Sequence, residues 1–174
     1  MHSLWLKFLD WFSHRFGIGR TTVPREPVSI RPIGVVRNNV REPRMDGWAA
    51  VRSDIIVRDE LAAALEGIEG YSHIIVVFAF DKVPESEIRM SVTPRGDERI
   101  PEQGVLATRS QLRPSPLGVS VVRQLRRRHN IIRVEGLDAI DGTPVLDIKP
   151  YFPNYDAIPD AGIPDWAKAL AEPR

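Results

Sequence analysis

The 174-residue sequence contains no cysteine. This absence excludes disulfide bonds, thiolate zinc sites and cysteine nucleophiles. The four histidines, His2, His14, His73 and His129, show no metal-ligand spacing, so we expect no metal site. The sequence has no run of about 18 apolar residues and no signal-peptide pattern. We therefore expect a cytoplasmic protein that does not span a membrane.

The common signatures of nucleotide-binding enzymes and serine hydrolases are also missing. The sequence has no G-x-G-x-x-G after a strand, no G-x-x-x-x-G-K-[ST] and no G-x-S-x-G. A cofactor site in this chain therefore has to be built differently from the usual phosphate-binding crossover.

Lysine is scarce. The chain has 24 basic and 23 acidic residues, and only Lys7, Lys82, Lys149 and Lys168 among the basic ones are lysines. Arginine binds phosphate and carboxylate groups in a fixed fork and stacks on bases, so this bias favours an anionic ligand. An arginine-rich codon usage explains the same composition, and both interpretations stay open.

The first segment, residues 1–27, is predicted to be an amphipathic helix followed by a linker. Apolar residues recur at helical spacing from Leu4 to Phe16, and Gly17 and Gly19 end the pattern. The polar face is only weakly basic, which argues against membrane contact. We expect this helix to pack on its own domain or on a partner subunit.

Residues 28–160 are predicted to form a mainly β, β-rich α+β domain, since few helices and many short strands suggest a barrel or a highly curved sheet. The runs IRPIGVV, VRSDIIV, HIIVVFAF and IRMSVTP are typical of strands, and one helix is expected from Asp59 to Leu65. A hairpin is expected to turn at His129-Asn130, with Val119, Val121 and Leu125 facing inward. Residues 161–174 are predicted to be a tail with one helical turn near Asp165.

The segment ATRSQLRPSPLGVS places Arg109 and Arg113 beside two X-Pro steps. Proline fixes its own φ and restricts the residue before it, so this loop is expected to be stiff and extended. A stiff loop loses little entropy on binding, which favours a preformed rim that carries two cations toward a ligand. An ordinary charged surface turn is the alternative.

The segment DAIDGTPVLDIKPY is predicted to form a tight turn at Asp141-Gly142 followed by a strand. The alternation predicts Val145, Asp147 and Lys149 on one face and Leu146 and Ile148 on the core face. The Asp147 carboxylate and the Lys149 ammonium are then neighbours on the same face of the strand. A solvated ion pair of little energetic value is the alternative.

Four sequence blocks in order resemble the TrmO (YaeB-like) family of tRNA methyltransferases. They are PIGVVR, EGIEGYSHIIVVFAF, GVLATRSQLRPSPLGVS and GLDAIDGTPVLDIKPY, which together span about Ile30 to Asp156. The resemblance implies a methyltransferase that uses S-adenosyl-L-methionine to methylate N6 of threonylcarbamoyl-adenosine 37 in tRNA. It also implies a single-sheet β-barrel and a homodimer with the cofactor site near the subunit interface.

The same resemblance implies which residues bind the cofactor. Arg44 is expected to pair with the cofactor carboxylate, Val119 to contact the adenine, and Asp138 to accept from ribose hydroxyls or the adenine amine. The full set is Pro43, Arg44, Met45, Asp81, Lys82, Arg109, Val119, Glu135, Gly136, Leu137 and Asp138. The chain departs from the family pattern at Met45, Asp81, Lys82 and Ser115.

Methyl transfer needs the attacking nitrogen, the methyl carbon and the sulfur nearly in line, so positioning supplies much of the acceleration. An acceptor for the N6 proton would help further, and we predict Asp147 and Tyr151 as the catalytic residues. The predicted substrate- or RNA-binding residues are Arg113, Arg126, Arg128 and Lys149. Two alternatives stay open: a methyltransferase of the same fold with another substrate, and a catalytically silent regulatory protein that binds S-adenosylmethionine.

Overall fold

The structure is a computed structural model that describes residues 27–171. The predicted N-terminal helix lies outside the described residues. From Arg31 onward the chain forms one compact unit. The boundaries predicted at residues 27 and 160 stay a prediction.

Eight β-strands occur in the described residues. They are β1 (Gly34–Arg37), β2 (Arg52–Val57), β3 (His73–Ala79), β4 (Ser91–Val92), β5 (Gln103–Gly104), β6 (Leu117–Arg128), β7 (Ile131–Glu135) and β8 (Pro144–Pro150). Six of them close into a barrel in the order β1-β2-β7-β6-β3-β8, with every neighbouring pair antiparallel. Closure removes exposed sheet edges, and it confirms the mainly β, barrel-like fold predicted from the sequence.

The hydrophobic core fills the inside of the barrel. Alternate residues of each strand point inward because the side-chain period of a strand is two, as in β3, where Ile74, Val76 and Phe78 are buried. Residues from all six barrel strands reach this core, including Val36, Ile55, Val122, Ile132, Val134 and Val145.

The β6–β7 hairpin turns at His129-Asn130 as predicted, and His129 adopts a left-handed φ of 51°. The inward face predicted for β6 was wrong. Val119 and Val121 are 54% and 51% exposed, whereas Gly118 faces inward and Val122 is buried. Gly118 takes this inward position because the Phe78 ring lies against it. A Cβ at residue 118 would lie 2.3 Å from a ring atom of Phe78, so only glycine fits.

The alternation predicted for β8 was wrong at Val145. This residue was expected on the face opposite the core, but it is fully buried in the core. Val77 pairs with Asp147 and Phe78 pairs with Val145, so a β-bulge at Leu146 shifts the register. Beyond the bulge the prediction holds. Ile148 packs against the core, while Lys149 lies exposed beside Asp147 on the outer face.

The helices of the described residues are short. Six are 3₁₀ helices, at Trp48–Ala50, Asp59–Leu65, Ile68–Gly70, Glu85–Glu87, Pro94–Gly96 and Val105–Ala107. Two are α-helices, α1 (Pro153–Asp156) and α2 (Asp165–Ala171). The predicted helix at Asp59 is therefore a 3₁₀ helix, and the predicted turn near Asp165 is α2. Between residues 27 and 171 no helix is long and apolar enough to cross a membrane.

The predicted strand IRMSVTP contributes only β4, which pairs with β5 outside the barrel. Between β3 and β6 the chain thus forms an excursion with little regular structure. This excursion carries the ATRS segment and covers one end of the barrel, where the candidate site lies.

Candidate functional site

A cavity of about 1190 Å³ lies at this end of the barrel. Its walls come from the loop after β1, the end of β3, the excursion between β3 and β6, the loop between β7 and β8, and helix α2. The lining residues fall in the ranges 43–48, 78–83, 92–96, 106–112, 138–143 and 166–170. A concave site of this size, built from loops on a rigid barrel, is typical of a small-molecule site.

The loop after β1 folds on itself around Arg44. The Arg44 guanidinium donates to the Gly47 carbonyl at 2.7 Å, and the Trp48 indole donates back to the Arg44 carbonyl at 3.0 Å. The guanidinium carbon lies 4.9 Å from the centroid of the Trp48 ring, which is a cation–π contact. Gly47 allows this closed loop because its φ is +74°. One cation and one aromatic face are thus held together at the cavity wall.

The loop that carries Arg109 is braced from within by Arg113. The Arg113 guanidinium donates to the backbone carbonyls of Ser110 (2.9 Å), Val105 (3.4 Å) and Thr108. The Thr108 hydroxyl also donates to the Val105 carbonyl at 2.8 Å. The structure therefore directs Arg113 at the backbone of its own loop, and its predicted role in substrate binding stays a prediction.

Arg109 is different from Arg113 because it is exposed and lines the cavity. It forms no hydrogen bond or ion pair with another residue of the described range. Its guanidinium is thus available to an anionic ligand on a loop that Arg113 keeps in shape.

Asp138 also lines the cavity, from the loop between β7 and β8. Its carboxyl is open to solvent on the cavity side and flanked by protein elsewhere, and this partial burial raises its pKa above the ordinary value. The neighbouring residue is held firmly, because the Asn38 amide donates to the Ala139 carbonyl and to the Ser53 hydroxyl, both at 2.9 Å. Asp138 is therefore a fixed acceptor facing the cavity.

Seven of the eleven predicted cofactor-binding residues line this one cavity. They are Pro43, Arg44, Met45, Asp81, Lys82, Arg109 and Asp138. The sequence resemblance had placed them in four separate stretches of the chain, and the barrel brings those stretches to one end. Their role in binding a cofactor stays a prediction.

The other four predicted cofactor residues lie away from the cavity lining. Val119 is on the outer face of β6, and Leu137 is fully buried in the core. Glu135 binds Arg52 and Arg123 on the barrel exterior. Gly136 has a φ of +91°, and this left-handed turn directs the chain from β7 toward Asp138.

The predicted catalytic pair also lies outside this lining. Asp147 binds Lys149 at 2.6 Å on the outer face of β8. Tyr151 follows β8, and its ring lies 6.3 Å from that of His73 in an edge-to-face arrangement. The predicted RNA-binding residues Arg126 and Arg128 are exposed on the β6–β7 hairpin.

Sequence reasoning missed several residues of the cavity wall. Trp48, Phe80 and Trp166 supply aromatic surface, and Arg95 adds a cation with a left-handed φ of 54°. Trp166 and Leu170 are four residues apart on α2, so both face the cavity. The i, i+4 spacing of these two apolar residues in the predicted tail was the sequence signal that could have identified them as one packed helix face.

A family model described as the tRNA-methyltransferase O N-terminal domain matches residues 36–157. The chain belongs to this TrmO N-terminal domain family. The match covers the barrel from Val36 of β1 to the end of β8 and five of the six cavity-lining ranges. The family predicted from the four sequence blocks is thus confirmed.

Individual relatives agree with this assignment. An S-adenosyl-L-methionine-binding protein of Archaeoglobus fulgidus is 40% identical over 133 residues, which cover 74% of this chain and 93% of the relative. The tRNA (adenine(37)-N6)-methyltransferase of Escherichia coli is 36% identical over 140 residues, covering 74% of this chain and 60% of the relative.

A crystal structure of TrmO from Pseudomonas aeruginosa superimposes with a TM-score of 0.63 and 36% identity. The superposition covers 80% of this chain and 64% of that structure. The chain therefore spans less than two thirds of the solved TrmO protein.

Proposed function

We propose that this TrmO-family chain is an S-adenosyl-L-methionine-dependent methyltransferase that acts on N6 of threonylcarbamoyl-adenosine 37 in tRNA. The observation that carries the proposal is the assembly of Arg44, Arg109 and Asp138 in one cavity of about 1190 Å³. These residues come from three segments that the family resemblance predicts to meet at the cofactor. The name of the Escherichia coli relative, a tRNA (adenine(37)-N6)-methyltransferase, supports the same reaction.

The groups in the cavity fit the chemistry of the proposed cofactor. Its carboxylate was expected to pair with Arg44, but the Arg44 guanidinium donates to the Gly47 carbonyl. The exposed guanidinium of Arg109 in the same cavity suits the carboxylate better. Its ribose hydroxyls and adenine amine are donors that suit the Asp138 carboxylate. The adenine ring suits the aromatic faces of Trp48 and Trp166. When bound, the cofactor supplies an electrophilic methyl group on a sulfonium sulfur.

The residues of the chain act mainly by positioning under this proposal. The Arg113-braced loop and the Asn38-held turn fix Arg109 and Asp138 in the wall of one cavity, so a nucleoside bound to both is oriented before reaction. Phe80 and Trp166 add apolar surface to the same cavity. Rigid walls of this kind reduce the entropic cost of aligning the attacking nitrogen with the methyl group.

The proposed catalytic role of Asp147 and Tyr151 requires a second copy of the chain. Both residues lie outside the cavity lining of their own subunit, so they reach a bound substrate only if the outer face of β8 adjoins the cavity of a partner. A dimer of this kind places one subunit's acceptor beside the other subunit's cofactor.

An exposed apolar stripe supports such a homodimer. Leu117, Val119 and Val121 lie on the outer face of β6 with 40%, 54% and 51% of their surface exposed. Their respective cross-strand partners on the neighbouring strand β3 are Ala79, Val77 and Ile75. The stripe adjoins Asp147 and Lys149, which pair with Val77 and Ile75. A contiguous apolar patch of this kind typically marks an interface, so we propose that two copies meet through this face of β3, β6 and β8.

Charging the stripe should break this dimer. The double variant Val119→Asp/Val121→Asp is expected to elute as a 19.7 kDa monomer, while the unaltered chain runs at about twice that mass in light scattering. Tyr155→Asp is the matched control, since Tyr155 is 80% exposed but lies off the stripe. A monomeric unaltered chain, or a double variant that stays dimeric, contradicts the proposed interface.

The reaction itself is tested in two steps. Calorimetry with S-adenosyl-L-methionine is expected to show one site per chain, and incubation with radiolabelled cofactor and total tRNA is expected to label tRNA. Nuclease digestion should then place the label on threonylcarbamoyl-adenosine. Cofactor binding without labelling of any tRNA overturns the proposed substrate.

Two alternatives predict distinct outcomes in the same assay. Met45, Asp81 and Lys82 depart from the family pattern and line the cavity, which is the observation behind a methyltransferase of the same fold with another substrate. A same-fold methyltransferase with another substrate labels a different molecule in a cell extract. A silent binding protein binds the cofactor and labels nothing.

A further inference from the structure

The outer face of the barrel carries a row of charges that crosses four strands. In one row Arg37 of β1 pairs with Asp54 of β2, Asp54 pairs with Arg133 of β7, and Arg133 pairs with Arg126 of β6. All four residues belong to the outward-facing set of their strands, since their neighbours Val36, Ile55 and Ile132 are buried. The row is therefore continuous around one side of the barrel.

A second row lies next to the first, toward the cavity end. Here Arg52 of β2 pairs with Glu135 of β7, and Glu135 pairs with Arg123 of β6. Arg128 lies next to the first row on the hairpin side, opposite Ile131. We call this surface the arginine belt; it consists of Arg37, Arg52, Arg123, Arg126, Arg128 and Arg133, with Asp54 and Glu135 between them.

Asp54 and Glu135 hold three arginines of the belt in fixed positions. Arg133 binds Asp54 in a bidentate fork, with Nε–Oδ1 and Nη2–Oδ2 distances of 2.7 and 2.6 Å. Glu135 accepts from Arg123 at 2.8 Å and from Arg52 at 3.1 Å. These arginines lower the pKa of both carboxyls, so the spacers stay ionised at neutral pH. Fixed guanidinium groups lose little entropy when they bind a ligand.

The belt is strongly cationic although the chain is nearly neutral. It holds six arginines against two carboxylates, and a third carboxylate, Asp141, binds Arg37 at 3.6 Å, whereas the whole chain has a net charge of only +1. Arg126 and Arg128 are exposed and form no hydrogen bond or ion pair within residues 27–171. Positive charge is thus concentrated on this side of the barrel, with two guanidinium groups open to a ligand.

A second hollow connects the belt to the cavity. It has a volume of about 660 Å³, and Arg44 and Arg52 are among its lining residues. Arg44 also lines the main cavity, and Arg52 belongs to the belt. A polyanion that lies along the belt can therefore continue over Arg52 and Arg44 to the cavity mouth.

We propose that the arginine belt binds the sugar–phosphate backbone of an RNA whose reactive nucleotide enters the cavity. The identity of this RNA as tRNA rests on the proposed function, whereas the belt itself rests on the strand register. Discrete phosphates suit guanidinium groups that are separated by carboxylates. A uniformly anionic membrane surface suits this pattern less well, because Asp54 and Glu135 would face like charges.

The test measures binding of fluorescently labelled bulk tRNA by anisotropy without cofactor, from about 0.05 to 0.2 M salt. The variant is Arg126→Gln/Arg128→Gln, which removes two exposed charges and no hydrogen bond or ion pair of the described residues, although Arg126 also lowers the pKa of Asp54. Each lost phosphate contact reduces the slope of log affinity against log salt by about 0.7 to 0.9. We therefore expect a slope smaller by about 1.4 to 1.8, and affinity about 10- to 30-fold weaker at about 0.15 M salt.

The matched control is Arg89→Gln/Arg99→Gln, which removes the same charge from exposed positions between β3 and β6. It should change the affinity by less than about 3-fold, since both arginines lie outside the belt and the contacts they lose, Arg99 with Asp97 and Arg89 with nearby carbonyls, are local to the excursion. Equal losses in both variants, or a belt variant that binds like the unaltered chain, overturn the proposal. Binding to phosphatidylserine vesicles that depends on Arg126 and Arg128, without such dependence for tRNA, overturns it as well.

The outcomes separate the belt from the proposed function. If tRNA binding depends on Arg126 and Arg128 but no tRNA is methylated, the belt stands and the proposed reaction fails. If tRNA is methylated with unchanged affinity in the belt variant, the reaction stands and the belt fails.

Discussion

Replacing Asp138 by asparagine should weaken S-adenosyl-L-methionine binding by about 10- to 100-fold, because a charged acceptor facing two or more donors is lost. The apo protein should keep its stability. Burial raises the pKa of the Asp138 carboxyl, so its favourable contribution to folding is present at acidic pH and is lost as the pH rises through the raised pKa. At neutral pH the ionised carboxyl is a cost that asparagine removes.

Calorimetry of the cofactor and thermal unfolding of the apo protein check both parts of this prediction. The same reasoning gives a pH dependence, since only the ionised carboxylate accepts with full strength. Cofactor affinity of the unaltered chain should fall as the pH drops through the raised pKa of Asp138, and this fall should be absent in Asp138→Asn. A variant with unchanged affinity, or one whose apo form unfolds many degrees earlier, contradicts a ligand-facing role.

Asp147→Asn is the matched control because it makes the same chemical change on the outer face of β8. Asp147 lies outside the cavity lining of its own chain and binds Lys149, so cofactor affinity should not change. If Asp147 accepts the N6 proton across a dimer interface, turnover falls by about 10²- to 10⁴-fold. Turnover equal to that of the unaltered chain ends the catalytic assignment of Asp147.

Much of the fold followed from the sequence because strand formation here depends on local pattern. HIIVVFAF and VRSDIIV are short runs rich in β-branched residues, and both became barrel strands. The hairpin at His129-Asn130 was equally clear. What failed was the register within strands, since a β-bulge reverses which residues face inward. Neither the bulge at Leu146 nor the inward position of Gly118 has a signal in its own segment.

The candidate site was predicted less completely for a related reason. Arg44, Arg109 and Asp138 were found through family blocks, and the barrel brings them together. Trp48 and Trp166 were missed because their positions depend on how loops and α2 cover the barrel end. Of the arginine belt, the sequence predicted only Arg126 and Arg128 on the hairpin. The pairing of Arg37, Arg52 and Arg133 with their neighbours depends on the order of the strands in the barrel, which local pattern does not show.

The contact between Gly118 and Phe78 should be the most sensitive point of the barrel. Phe78 is 2% exposed, and its ring lies over Gly118, so a Cβ at residue 118 would meet three ring atoms at 2.3 to 2.9 Å. Phe78→Ala is expected to lower the free energy of unfolding by about 3 to 5 kcal/mol through the cavity it creates. Gly118→Ala should lower it by about 1 to 3 kcal/mol through overpacking.

The two changes should not be additive. Once the ring is gone, an alanine at residue 118 has space and also reduces the flexibility of the unfolded chain, so in the Phe78→Ala background Gly118→Ala should be neutral or mildly stabilising. Urea unfolding of the four chains is expected to give a coupling of about 1 to 3 kcal/mol at a constant m value. Gly104→Ala, where no atom lies within 4 Å of the added Cβ, is the control and should change stability by less than about 0.5 kcal/mol.

The same contact links the core to the cavity. Phe78 packs edge-to-face on Phe80 with centroids 5.5 Å apart, and both rings line the cavity wall. A ring displaced by a methyl group added at residue 118 has to move toward that wall, so Gly118→Ala should weaken cofactor binding even at temperatures where the chain stays folded. Additive free energies, or a Gly118→Ala variant as mild as Gly104→Ala, would show that the Phe78 ring does not fix the residue at this position.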